Sequence, residues 1–149
     1  MSTDAWLAIA HHLAVFAVLA VLSAEWALVR PGLSPAGIKT LARVDAAYGA
    51  SAAAVIVAGI ARVVAGAKPT EFYTDNPTFW LKMAAFAVVG VLSIRPTIRY
   101  IGWRKTLAGG GTPPAPEVLQ SAHRAINVQL TVFASIPVLA ALMARGIGN

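Results

Sequence analysis

The sequence predicts an all-α integral membrane protein, a four-helix bundle, and three observations carry that reading. Composition comes first: 58% of the residues are hydrophobic and 12% are charged, where an ordinary soluble domain carries about 25% charge. A soluble chain of 149 residues has too much surface to cover with so few charges. Second, four apolar stretches, about 5–29, 41–65, 78–100 and 125–144, each reach the ~20 residues that a helix needs to cross ~30 Å of hydrocarbon. Third, apolar residues run continuously instead of alternating, which excludes a membrane barrel. Lipid leaves backbone groups unsatisfied unless they bond within the segment, so all four spans are helices. They form a single four-span domain over 1–149.

Span one lacks the form of a cleavable signal peptide, because nothing basic precedes it and its first basic flank is Arg30, after the span. That order favours an outside N-terminus. The connections after spans one and three, with the helix ends beside them, hold Arg30, Lys39, Arg43, Arg95, Arg99, Arg104, Lys105 and Arg124. The opposite side holds Arg62, Lys68, Lys82 and Arg145. The excess of basic residues therefore reads as membrane topology, not as a nucleic-acid surface: both termini lie on the outer, periplasmic side of a bacterial inner membrane.

Span two is rich in small residues from Gly49 to Gly59, which permit close helix approach. Pro96 is expected to kink or end span three, and Pro137 to kink span four. A flexible and then stiff linker covers about 105–120, with the run Gly-Gly-Gly-Thr-Pro-Pro-Ala-Pro at 109–116. It lacks the Lys-Ser/Thr ending of a phosphate loop. Trp6, Trp26, Trp80, Tyr100 and Trp103 fall near the expected interfaces, as aromatic belts do. The chain has no cysteine, which excludes disulfides, thiolate metal sites and covalent c-type haem.

Ionisable residues inside spans are the functional signal, because each is costly unless paired or hydrated. They fall at two depths. Near the outer end lie His11, His12, Arg62 and Lys82; near the inner end lie Glu25, Arg43, Asp45, Arg95, His123 and Arg124, with Tyr48, Asn127 and Gln129. Glu25 wants a cation, and Arg43, Arg95 and Arg124 are its candidates. The inner set is expected to be a structural ion-pair network, with an anion or headgroup site or a proton path through Glu25 as the functional alternative. In the outer set, a neutral imidazole in a bundle can ligate haem iron. His12 is the favoured ligand and His11 the other candidate, with Arg62 and Lys82 as propionate anchors.

The runs LARVDAAYG at 41–49, NPTFWLKMAAFAVVGVLSIRPTIRY at 76–100 and HHLAVF with AEWALVR on span one resemble a bacterial family of predicted four-span membrane proteins of unknown function. That resemblance covers nearly the whole chain and implies no activity. The chain is more distantly similar to HemJ-type protoporphyrinogen oxidases, small four-span proteins with a histidine on helix one and a Trp-containing motif ending in lysine at the start of helix three. Here His11 or His12, and Lys82 in Phe79-Trp80-Leu81-Lys82, take those positions. Where the HemJ pattern ends helix three in an aromatic-His pair, this chain has Ser93-Ile94-Arg95-Pro96. The resemblance implies haem b, porphyrinogen oxidation and transfer of electrons to the respiratory chain.

Three functional classes follow. The first is a haem b- or porphyrin-binding redox protein with quinone as partner. The second is a non-enzymatic structural or assembly subunit, in a homo-oligomer or a larger membrane complex. The third, weaker because no span is broken, is a small transporter.

Overall fold

The computed structural model describes residues 2–146. It is all-helical: α1 (Thr3–Leu28), α2 (Pro35–Ala65), a single-turn α3 (Glu71–Thr74), α4 (Pro77–Ala108) and α5 (Pro116–Ala144). The four long helices are apolar and long enough to cross a bilayer. Leu13, Phe16, Val57, Val91 and Ile98 are exposed on their outer faces, the side that lipid covers. At 26, 31, 32 and 29 residues they span about 39–48 Å, so their ends reach well into the headgroup layers.

The helices overrun the apolar stretches because polar punctuation, not hydropathy, sets their ends. Ser2 Oγ accepts from the Ala5 N–H at 3.3 Å, and Ser34 Oγ from the Gly37 N–H at 3.1 Å. Asn76 Oδ1 accepts from the Thr78 N–H at 2.8 Å. These are side-chain N-caps. Three of the starts, at Pro35, Pro77 and Pro116, put proline in the first turn, where its missing N–H costs nothing. Gly32 and Gly110 take φ near +80° in the two tight connections, a conformation open to glycine. The expected linker at 105–120 is therefore shorter. Only 109–115 lies outside helix, since α4 runs on to Ala108 and α5 begins at Pro116. Pro96 does not end its helix: it is buried inside α4, which continues for three more turns.

The bundle is two hairpins. α1 packs most extensively on α2 and α4 on α5, while α2 against α4 and α1 against α5 close the ring with less contact. The start of α1, the end of α2, the start of α4 and the end of α5 gather at one end, here the terminal end. The turns at 29–34 and 109–115 mark the hairpin end. A continuous core of Val18, Leu22, Leu41, Val89, Ile126 and Phe133 runs between them. At the terminal end Asp4 Oδ1 accepts from the Ala67 N–H at 3.0 Å, tying the start of α1 to the chain beyond α2.

Candidate functional site

The terminal end of the bundle holds a partly open cavity of about 640 Å³, within the range of roughly 300–1,000 Å³ usual for small-molecule sites. All four long helices line it. Its walls are apolar and aromatic, with Phe72, Tyr73, Phe79, Phe86 and Phe133 among them, and its polar members are His11, Arg62, Lys68 and Lys82. The short α3 closes the end. Tyr73 is buried there, with its ring 5.3 Å from Phe72 and 6.0 Å from Phe79. Trp80 Nε1 donates to the Thr74 carbonyl at 2.8 Å and fixes α3 against α4.

The two histidines go to different places. His11 is half-buried and lines the cavity, with its Nδ1 edge buried against Val55 and Gly59 of α2. It lies against Gly59 of α2, where a Cβ would stand 3.4 Å from the ring. A methyl group at 59 would touch the ring at van der Waals distance, and a longer side chain directed there would push the imidazole away. His12, about 100° further around α1, is exposed on the outer face, and its Nδ1–H donates to the Ala8 carbonyl of its own helix at 2.6 Å. The structure thus brings His11, Arg62 and Lys82 together and leaves His12 outside.

Arg62 and Lys82 are both half-buried, and among the described residues neither meets a carboxylate. Arg62 Nε is buried without an acceptor. Lys82 Nζ rests 5.3 Å from the centre of the Phe79 ring and Lys68 Nζ 4.9 Å from that of Phe72. Such aromatic faces attract a cation weakly when it is exposed and more strongly when it is desolvated. Positive charges that face an apolar cavity with no anion of their own leave a place for an acidic group from outside.

The hairpin end is built differently. The expected pairing of Glu25 with Arg43, Arg95 or Arg124 does not occur. All three arginines are exposed, because a long cationic side chain near a helix end reaches the headgroups at little cost. Glu25 is 2% exposed and its Oε1 has no partner; the charge that bears on it is a second carboxylate, Asp45. Asp45 Oδ1 accepts from Thr97 Oγ1 at 2.8 Å, across the α2–α4 seam. Tyr100, placed by sequence in the interfacial belt, is instead fully buried, and its hydroxyl has no partner. His123 stays out of any ionic network. Its Nδ1–H donates at 2.9 Å to the carbonyl of Val29, the C-cap of α1, which has no acceptor role within the helix. Its ring lies 5.2 Å from that of Trp26, whose Nε1 donates to Asn127 Oδ1 at 2.6 Å.

The family described as predicted membrane protein (DUF2214) matches residues 3–148. The chain belongs to this family. No curated protein and no solved structure matches it significantly, so the HemJ-type resemblance gains no support from these comparisons.

Sequence reasoning missed α3 and the part of Lys68, Phe72 and Tyr73 in closing the cavity. The aromatic pair Phe72-Tyr73 between two membrane spans was the available signal, since a solvated loop has no use for two adjacent rings. Gly59, four residues from Val55 on a helix face turned to α1, was the signal for the side of α1 that packs inward.

Proposed function

We infer that the protein is a membrane-embedded binding protein for a haem b- or porphyrin-type ligand, taken into the cavity at the terminal end. One observation carries the reading: Arg62 and Lys82, half-buried and without a carboxylate among the described residues, face an apolar, aromatic cavity that His11 also lines. The cations call for acidic groups on the ligand, and the walls call for a large, flat, apolar body. A porphyrin with its propionates supplies both. His11 is the residue to hold an iron, as the one histidine that lines the cavity. Met83 and Met143 line the same cavity as soft, adaptable packing. Haem b, when bound, supplies one-electron chemistry, and quinone is a partner of matching solubility in the bilayer. The distribution of Lys and Arg supports a bacterial inner membrane with both termini outside.

Visible spectra of detergent-purified protein, expressed with ample haem and recorded oxidised and dithionite-reduced, test this reading. The expected result is a Soret band with sharp reduced α and β bands, lost in His11→Ala and kept in His12→Ala. A colourless wild type that also leaves the fluorescence of added protoporphyrin unchanged overturns it.

A further inference from the structure

The acidic pair at the hairpin end is independent of the cavity and of any ligand it takes. Glu25 on α1 and Asp45 on α2 are both buried, and no cation pairs with either among the described residues. The groups within electrostatic reach of the pair are Tyr48 on α2 and Tyr100 on α4, with Arg99 beside Tyr100, and the neutral, buried Gln129 of α5 lies at the same depth. Tyr100 is fully buried with its hydroxyl unpartnered, and both carboxylates lie within its electrostatic reach. Gln129 is 1% exposed with both amide atoms unpartnered. It lies at the same depth, because Asn127, two residues earlier, reaches Trp26, the neighbour of Glu25. Two ionised carboxylates cannot share a dry interior without a positive charge. A proton meets that need without a set of ligands around it.

Access has its own geometry. A second cavity of about 450 Å³ lies between α2 and α4; its walls are mainly small and apolar, and Asp45, Tyr48, Ser93 and Thr97 form a polar strip along it that extends to Arg104 near the end of α4. Asp45 faces it and Glu25 does not. Thr97 donates to Asp45, whereas Glu25 Oε1 receives no donor. A donor stabilises the ionised form of its acceptor, and its lack favours the acid.

We propose that Glu25 and Asp45 form a proton-binding site within the membrane interior, with the proton resting on Glu25 and exchanging with water in the α2–α4 cleft by way of Asp45. The proton passes between Glu25 and Asp45, and Asp45 exchanges it with cleft water. The cluster thereby keeps one proton and one negative charge.

Infrared spectroscopy of the full-length protein in liposomes tests this. The three glutamates are Glu25, Glu71 and Glu117, and the last two are exposed, so ¹³C-glutamate labelling of the unaltered protein isolates a buried glutamic acid. At neutral pH the expected spectrum has a protonated-carboxyl C=O band that moves on ¹³C-glutamate labelling, shifts in D₂O and is lost in Glu25→Gln. Asp45→Asn is expected to retain that band and to slow its deuterium shift at least tenfold. A neutral-pH spectrum with no glutamic-acid band overturns the proposal, as does a band indifferent to D₂O. So does one abolished by sodium chloride at constant pH, which makes the site an alkali-ion site. An unchanged exchange rate in Asp45→Asn overturns the entry role of Asp45. The labelled wild-type measurement needs no variant to fold, and none of these results depends on haem.

Discussion

The two ends of the bundle carry the same kind of violation and resolve it in opposite ways. At the terminal end Arg62 and Lys82 face a cavity of about 640 Å³. At the hairpin end Glu25, Tyr100 and Gln129 are packed among apolar side chains with unpartnered polar atoms. A charge beside open space can be answered by something that enters. A polar group in close packing has only its neighbours, and the folded state bears the cost of what they fail to supply. Substitutions at the terminal end are therefore expected to act on ligand binding, and those at the hairpin end on stability.

Core truncation gives the largest contrast. Ile126→Ala removes a fully buried side chain from the core at the hairpin end, away from both cavities, and is expected to cost about 2–5 kcal/mol in thermal or SDS denaturation. Ile136→Ala, on the wall of the cavity, should fall at the low end of that range, because one side of it already lacks packing partners. Equal losses would mean that the two halves are packed alike. Next, His123→Ala strands the Val29 carbonyl and unstacks Trp26, with an expected loss of about 1–3 kcal/mol. Arg62→Ala should weaken protoporphyrin binding about tenfold, roughly 1.4 kcal/mol, with an unchanged denaturation midpoint. A fall in stability with intact binding would make Arg62 a structural residue. Gln129→Leu replaces an amide whose two polar atoms are buried and unpartnered, and is expected to raise stability by about 1 kcal/mol. His12→Ala, on the outer face, should change either property by less than about 0.5 kcal/mol.

What could be read from the sequence follows the same division. The four spans, their order and the two depths of polar residues are all set by hydropathy and chain direction, which a linear sequence displays. Helix rotation is not. His11 and His12 are adjacent, and which one faces inward depends on where α2 lies, a fact that the sequence holds only indirectly, in Gly59. The partner of Glu25 was misread for a related reason. Opposite charge at the same depth suggested an arginine, but Arg43, Arg95 and Arg124 have side chains long enough to reach the headgroups, and water is the better partner there. Tyr100 shows the converse: an aromatic residue near a span end suits an interfacial belt by composition, yet its position on α4 turns it into the bundle.

The hairpin arrangement has a consequence for how the chain is made. α1 emerges first and finds its most extensive partner, α2, after a connection of six residues, 29–34; α4 finds α5 after seven, 109–115. Each pairing closes a short loop, so little chain entropy is lost in forming it. Two apolar pairs can thus enter the bilayer one after the other and meet there as finished pieces, in keeping with helix association after insertion. The join between them, α2 against α4, is made last and with less contact. Asp45 binds Thr97 across that join, and both cavities border it. Biosynthesis therefore leaves its seam where the polar residues are, and a chain stalled before α4 is complete would present those residues to lipid.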